Sequence, residues 1–173
     1  DVFTQLAGLD HPMLKTIEEI DLEQVDVVFC ALPHGTTQTV LAEALERKPS
    51  LKVVDLSADF RLNDPAAYAT WYGHEHRATG LQGEAVYGLT ELYRQEVSKA
   101  RLVANPGCHT TTALLPLMPL LADKAIDPDH IVIDSKTGMS GAGRAAKVGM
   151  LFSEVSEGLH AYAVGAHRPT AAL

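Results

Sequence analysis

Cysteine is scarce in this sequence, and long apolar runs and a basic charge excess are absent. The two cysteines, Cys30 and Cys108, provide neither a disulfide framework nor the paired spacing of a zinc site, so we expect a reducing, cytoplasmic compartment. No apolar stretch approaches the roughly 20 residues of a transmembrane helix, and the N-terminus lacks the build of a signal peptide. The net charge of -8 argues against nucleic acid or an anionic membrane as a partner. The absence of a starting Met leads us to expect a piece of a longer chain.

The apolar pattern of the remaining sequence alternates between short runs and helical spacings. Residues 25–33 (VDVVFCALP) are typical of a strand buried on both faces, and residues 36–48 show helical spacing with Thr36 or Thr37 as N-cap. A second β-branched run at 51–57 completes a β-α-β unit, which imposes a parallel sheet. The other predicted segments are a long connection with short helices at 58–88, a helix at 89–100, a strand at 101–106, a buried helix at 108–124 and a strand at 130–138. The pattern predicts an α/β fold with a mostly parallel sheet.

Each predicted strand ends in a short polar stretch that contains glycine or another small residue. These stretches are PHG at 33–35, SADFR at 57–61, NPGC at 105–108 and SKTGMSGAG at 135–143. Ligands of open parallel sheets bind at the carboxyl ends of the strands. The four stretches together therefore predict a ligand cleft.

Cys108 follows the sequence ANPG at a predicted junction between strand and helix. In the first helical turn, free N–H groups and the positive end of the helix dipole would stabilise a thiolate and an oxyanion formed by its attack on a carbonyl. Gly107 would permit a tight turn and the close approach of a substrate backbone or a cofactor ring. A packed small apolar side chain is the alternative for Cys108, and it is the favoured interpretation for Cys30 within its strand. The position of Cys108 favours a nucleophile.

A thiolate nucleophile needs a partner that transfers protons, most often a histidine. His167 is followed by Arg168, which pairs a possible base with an anion-binding guanidinium. His34 ends the first predicted strand and is better suited to lining a cofactor cleft. The residues alone place His167 only slightly ahead of His34 as the base.

The other histidines are weaker candidates for a functional role. His109 adjoins Cys108 but should point elsewhere as its immediate helical neighbour. His74 and His76 would form a two-His metal site only with further ligands, so we expect both at the surface and no bound metal.

The glycine-rich segment TGMSGAGR at 137–144 does not have the spacing of the dinucleotide fingerprint. A loop of small residues that ends in Arg144 would either approach phosphates with its backbone or form a flexible turn. The residues taken one by one therefore lead to an α/β protein with a candidate Cys nucleophile, but not to a reaction.

Five motifs occur in order along the chain: FCALPHG, VVDLSADFR, AVYGLTEL, NPGC followed by threonines, and DSKTGMSGAGR. Together they resemble the N-acetyl-γ-glutamyl-phosphate reductase family, which is related to aspartate-semialdehyde dehydrogenase, over about residues 25–168. The resemblance implies a partial Rossmann-like NADP-binding domain over residues 1–107, without its first βα unit. It implies the start of an α+β substrate and dimerisation domain over residues 108–173, and a homo-oligomer.

The resemblance also implies a reaction, the NADPH-dependent reductive dephosphorylation of an acyl phosphate in arginine biosynthesis. Cys108 would attack the acyl carbon, expel phosphate and form a thioester. Hydride from NADPH would then give a thiohemiacetal, which collapses to the semialdehyde. His167 would be the acid/base, and Asn105, Arg144 and Arg168 would bind the substrate.

For the cofactor, the resemblance implies a set of residues near the strand ends. These residues are Pro33, His34, Gly35, Ser57, Gly138, Ser140 and Gly141. The chain departs from the family pattern because it lacks the opening glycine-rich turn, the region beyond Leu173, and the second His and the Pro-Glu pair expected after His167-Arg168. Three alternatives stay open: a related reductase with an aspartyl or aminoadipyl substrate, a non-catalytic module that kept the fold, and a cysteine hydrolase.

Overall fold

A parallel sheet of four strands forms the centre of the fold. The computed structural model describes residues 6–143 and 145–164 of the chain. The strands are β1 (Val27–Cys30), β2 (Lys52–Asp55), β3 (Val86–Tyr87) and β4 (Leu102–Ala104), and they lie in the order β1-β2-β4-β3. All three pairings are parallel, with Cys30 opposite Asp55 and Asp55 opposite Ala104. The sheet confirms the predicted α/β class.

Helices connect the strands, and β3 was missed by the sequence prediction, which gave residues 58–88 as a connection with short helices only. They are α1 (Thr36–Arg47), α2 (Pro65–Tyr72), α3 (Thr79–Glu84), α4 (Thr90–Lys99), α5 (Cys108–Ala122) and the short α6 (Phe152–Val155). The predicted cap of α1 was wrong: its N-cap is Gly35, at a φ of 83°, and Thr36 is already helical. The start of α2 follows the usual rules, since Asp64 accepts a hydrogen bond from the Ala66 N–H and Pro65 occupies the first helical position.

The hydrophobic core lies between α1 and the inner face of the sheet. Its buried members are Cys30, Leu41, Leu45, Leu51, Val53, Phe60, Leu102 and Ala104. The helical positions Leu41 and Leu45 are one turn apart, so they cover the same stretch of the sheet. Cys30 is 5% exposed within this cluster and is a packed strand thiol, as predicted.

The prediction that the first strand is buried on both faces was wrong. Val27 is 47% and Phe29 is 72% exposed, because these two residues share the face of β1 that the described residues leave uncovered, whereas Val28 and Cys30 on the opposite face pack at the core. The predicted strand at 130–138 was also wrong: residues 131–138 form no strand, and Val132 is 93% exposed. A short apolar run becomes a strand only when a neighbouring strand pairs with it, and 131–138 has no such neighbour in the described residues.

Helix α5 was predicted to be buried along its length, and it is not. Only Thr110 and Ala113, in its first two turns, are buried, whereas Leu115 and Leu120 are exposed. The helix packs where it leaves β4 and extends outward from there. Within the described ranges, no helix combines the length and the hydrophobicity needed to cross a bilayer.

Candidate active site

Cys108 is the first residue of α5, which begins after a three-residue turn that follows β4, and its side chain is exposed. No side chain caps this end of the helix, and its first turn contains no acidic residue. Unsatisfied N–H groups and the positive end of the helix dipole are therefore available to an anion at the thiol. The sequence predicted this position for Cys108, and the structure has it there.

Arg61 lies next to this turn, and sequence reasoning did not single it out. Its Nε donates to the Asn105 carbonyl oxygen at 2.8 Å and its Nη2 donates to the Leu56 carbonyl oxygen at 3.0 Å. A Cβ on Gly107 would stand 3.1 Å from Arg61 Nη1. A side chain at position 107 would therefore press on this guanidinium, which two hydrogen bonds to backbone carbonyl oxygens hold in place.

The contact with Arg61 explains glycine at position 107 differently from the sequence prediction. Its φ of -72° is open to any residue, so the tight turn that we predicted does not require glycine there. What a larger side chain at this position would meet is the guanidinium of Arg61. The available signal was the position of Arg61 in SADFR, just after a buried strand at the ligand edge.

Asn105 is half-buried at the end of β4, three residues before Cys108. Its N–H donates to the Asp55 carbonyl oxygen at 2.8 Å, and its Nδ2 donates to the Pro106 carbonyl oxygen at 3.1 Å. The structure thus brings Asn105, Arg61 and Cys108 together at one strand end.

The loop after β1 carries three of the residues assigned to the cofactor. Pro33 and His34 are exposed, and the ring of His34 stands edge-on to Tyr72 with centroids 6.0 Å apart. The Gly35 N–H donates to both carboxylate oxygens of Asp59, at 3.0 and 2.8 Å. The positive φ of Gly35 strains any other residue there.

Ser57 is buried in the loop after β2, and its hydroxyl is used within that loop. Its Oγ donates to Asp55 Oδ2 at 2.7 Å and accepts from the Asp59 N–H at 3.1 Å. Burial raises the pKa of Asp55, and hydrogen bonds from Ser57 counteract that rise. The Ser57 hydroxyl thus shapes the ligand edge through the backbone around it.

His76 was predicted at the surface, and that prediction was wrong. It is buried, with Nε2 2.9 Å from the Asp59 carbonyl oxygen and Nδ1 accepting from the Ala78 N–H at 3.1 Å. Because a carbonyl only accepts, Nε2 carries the proton and the ring is neutral. Burial lowers the pKa of His76. His74 is exposed, and the described residues contain no cluster of His, Cys, Asp and Glu that could hold a metal ion.

His109 contacts two later segments of the chain instead of the thiol. Its Nδ1 lies 2.6 Å from Ser135 Oγ, and its Nε2 lies 2.8 Å from the Tyr162 hydroxyl. It therefore points elsewhere, as predicted. These contacts bring the start of the glycine-rich segment to the first turn of α5.

The glycine-rich segment itself forms an exposed 3-10 turn at Met139–Ala142, which includes Ser140 and Gly141 and has Gly138 as N-cap. A Cβ on Gly141 would stand 2.7 Å from Thr137 Oγ1, so a larger residue at that position would have to displace the exposed Thr137 hydroxyl. The predictions for Arg144, His167 and Arg168 lie outside the described residues.

Comparisons with known proteins show two family matches along the chain. Residues 2–100 match the family described as semialdehyde dehydrogenase, NAD binding domain, and residues 108–171 match the one described as semialdehyde dehydrogenase, dimerisation domain. The junction between the two matches contains β4 and the turn before Cys108.

Three relatives carry the name of one enzyme. The chain is 67% identical over 170 residues to the N-acetyl-gamma-glutamyl-phosphate reductase of Afipia carboxidovorans, covering 97% of this chain and 48% of that protein. It is 60% identical over 169 residues to the protein of the same name from Rhodospirillum rubrum, covering 96% and 48%. It is 54% identical over 167 residues to a rice protein named as probable and chloroplastic, covering 96% and 40%. The chain thus spans about half the length of the curated relatives that it matches, or less.

Proposed function

We propose that this chain, which belongs to the semialdehyde dehydrogenase family, forms part of an NADPH-dependent N-acetyl-γ-glutamyl-phosphate reductase. The observation that carries the proposal is Cys108, an exposed thiol at the uncapped N-terminus of a helix, with the Arg61 guanidinium beside the preceding residue. The names of the relatives support the substrate. The reaction would convert the acyl phosphate to N-acetylglutamate semialdehyde in arginine biosynthesis.

The geometry around Cys108 suits attack on an acyl phosphate. The thiolate adds to the acyl carbon, the bond from that carbon to the phosphate oxygen breaks, and phosphate leaves with the electron pair to give a thioester. The N–H groups of the first turn of α5 face the developing oxyanion. The Arg61 guanidinium supplies a positive charge beside the turn, where it would attract an anionic group of the substrate.

Further roles follow from the family resemblance. We assign His167 as the acid/base that handles the proton of the thiol and of the product. Asn105, Arg144 and Arg168 would bind the substrate. Asn105 has support from geometry, since it lies on the same strand end as Cys108.

The residues at the end of β1 are assigned to a nicotinamide dinucleotide. The assignment rests on the family resemblance, and the structure adds that the buried Asp59 carboxylate already accepts the N–H of Gly35, the N-cap of α1. Pro33, His34 and Gly35 would hold the cofactor there. Ser57 and the turn with Gly138, Ser140 and Gly141 complete the assignment. When bound, the cofactor supplies the hydride, and the choice of NADP over NAD is part of the proposal.

The wider organisation is proposed on the same basis. Residues 1–107 would form part of the cofactor domain, and residues 108–173 the start of the catalytic and dimerisation domain. The match to a dimerisation domain supports a homo-oligomer. Both cysteines are free thiols, which is in keeping with a reducing, cytoplasmic compartment.

The test replaces Cys108 by Ser in the intact protein and measures phosphate-dependent oxidation of N-acetylglutamate semialdehyde with NADP. We expect activity to fall at least about a thousandfold, because a hydroxyl replaces the thiolate. Cys30→Ala is the matched control, since that thiol is buried away from the helix end, and it should keep most of the activity. Normal turnover of Cys108→Ser would refute the mechanism.

Further measurements distinguish the proposed function from the three alternatives left open by the sequence. Faster turnover of aspartate semialdehyde or of its aminoadipate homologue would reassign the substrate. Hydrolysis without any nicotinamide would indicate a cysteine hydrolase, and failure to bind NADPH at micromolar concentration would indicate a non-catalytic module.

A further inference from the structure

Asp59 is a fully buried carboxylate in the loop between β2 and α2. Both of its oxygens accept the Gly35 N–H, at 3.0 and 2.8 Å, and Oδ1 also accepts the Tyr68 hydroxyl at 2.6 Å. Within the described ranges, no Lys or Arg forms a salt bridge with it. A buried charge is costly unless hydrogen bonds compensate it, so the stabilisation of this carboxylate depends on its neutral donors.

One of the donors to Asp59, the Tyr68 hydroxyl, is the last member of a directed chain of hydrogen bonds. The Arg77 N–H donates to Gln38 Oε1 at 2.6 Å, Gln38 Nε2 donates to the Tyr68 hydroxyl at 2.7 Å, and that hydroxyl donates to Asp59. The side chains of Gln38 and Tyr68 are fully buried as well. Every donor in the chain is aimed at the carboxylate, so position 59 requires a group that only accepts.

The same chain extends to the loop at 33–35 by two routes. The first is the backbone: Gly35 is the N-cap of α1, and its N–H is held by Asp59. The second is aromatic: Tyr68 stacks on Tyr72 with centroids 4.6 Å apart, and Tyr72 meets His34 edge-on. Asp59 therefore holds the backbone of the 33–35 loop at Gly35. Through Tyr68 it also supports the ring of Tyr72, which contacts His34.

We propose that Asp59 is a positioning residue whose carboxylate holds the 33–35 loop in the conformation that receives the nicotinamide cofactor. This inference rests on the proposed function, in which that loop binds the cofactor. Asp59 does not touch the cofactor and acts through Gly35 and Tyr68. Loss of its acceptors lowers the fraction of molecules with a competent loop, and the apparent dissociation constant rises by the same factor.

The test compares Asp59→Asn with Asp64→Asn in the intact protein. Asparagine keeps the shape of the side chain but turns an NH₂ group towards either the Gly35 N–H or the Tyr68 hydroxyl. Asp64 is the matched control because it is an exposed N-cap in the same connection, and Asn caps a helix as well as Asp does. NADPH affinity is measured by fluorescence titration, and Gly35 amide exchange by deuterium uptake.

For Asp59→Asn we expect about tenfold weaker NADPH binding and faster exchange at Gly35, the result of losing a hydrogen bond to a charged acceptor. At saturating NADPH, kcat should stay within about twofold, so the effect lies in KM for the cofactor. Labelling of Cys108 by iodoacetamide should not change. Asp64→Asn should match the wild type in all four measurements.

Several results would overturn the inference. Unchanged NADPH affinity in a folded Asp59→Asn protein would refute it, even if Gly35 exchanged faster. Parallel losses of NADPH affinity, Cys108 labelling and thermal stability would show a general structural role instead. If Asp59→Asn does not fold, Tyr68→Phe, which removes one donor, should weaken NADPH binding about threefold, and an unchanged affinity would be decisive against the inference.

The wild-type measurement separates this inference from the proposed function. A wild-type protein that does not bind NADPH refutes the proposed function, and the cofactor role of Asp59 with it. A wild-type protein that binds NADPH, beside an Asp59→Asn protein that binds it equally well, refutes the positioning role alone.

Discussion

Selective alkylation of the two cysteines tests the candidate site directly. We expect iodoacetamide to label Cys108 about a thousand times faster than Cys30 in the native protein at neutral pH. Cys108 is exposed at the first residue of α5, so the reagent reaches its sulfur directly. Cys30 is 5% exposed in the core, and burial raises the pKa of its thiol. The burial of Cys30 and its raised pKa both make its labelling slower than that of Cys108.

The size of the ratio follows from the opening that Cys30 needs. Iodoacetamide reaches it only when β1 separates from β2, to which it is paired over four residues, and from the core side chains. Local openings cost between zero and the global free energy of unfolding, and β1 is an edge strand with Phe29 exposed. We take the free energy of this local opening as about 4 kcal/mol. Since each 1.36 kcal/mol corresponds to a factor of ten, the opening alone slows the labelling of Cys30 about a thousandfold.

The assay follows alkylation of each cysteine-containing peptide with time by mass spectrometry. In concentrated guanidinium the two rates should converge, because both thiols are then in unfolded chain. Cys30→Ala should leave the rate at Cys108 unchanged. Equal and slow labelling of both thiols in the native protein would mean that Cys108 has no activated thiolate, and the argument from the helix terminus would fail.

Two further predictions concern stability. Burial lowers the pKa of His76 in the folded protein. Below about pH 6.5 the unfolded chain therefore binds a proton at this histidine more readily than the folded protein does, and the free energy of unfolding falls as the pH drops. The loss of unfolding free energy between about pH 7.5 and about pH 5.5, from thermal denaturation, should be smaller in His76→Gln than in the wild type, and equal losses would contradict the buried neutral ring. Lys48 Nζ donates to the Leu22, Glu23 and Val25 carbonyl oxygens at 3.1, 3.0 and 2.9 Å, so Lys48→Met should lower the free energy of unfolding in urea by about 1–2 kcal/mol. Lys52→Met, which loses a single such bond to Ala100, is the control and should cost less.

The parts of the fold that sequence predicted correctly are those that local periodicity determines. The β1-α1-β2 unit is one example, because the helical spacing of Leu41 and Leu45 marks α1, and the β-branched runs on either side of it form strands that pair with each other. The error at 130–138 has the opposite cause. Strand formation there depends on a pairing partner distant in sequence, and the apolar run looks the same with or without it.

The same distinction between local and distant contacts applies to the candidate site. The position of Cys108 could be predicted because the strand, the turn and the helix start are adjacent in sequence. The roles of Asp59 and Arg61 could not, because Asp59 binds Gly35, 24 residues earlier, and Arg61 binds Asn105, 44 residues later. Sequence spacing carries no information about either pair. What the sequence offered was an acidic and a basic residue directly after a buried strand.

These two residues give the loop after β2 a role that neither has alone. Asp59 holds the backbone at Gly35, on the side assigned to the cofactor, and Arg61 holds the Asn105 carbonyl, on the side of the nucleophile. The residues are two positions apart, so one short loop is hydrogen-bonded to both halves of the candidate site. Because Asp59 and Arg61 belong to one short hydrogen-bonded loop, the effects of substituting them on NADPH affinity should not simply add.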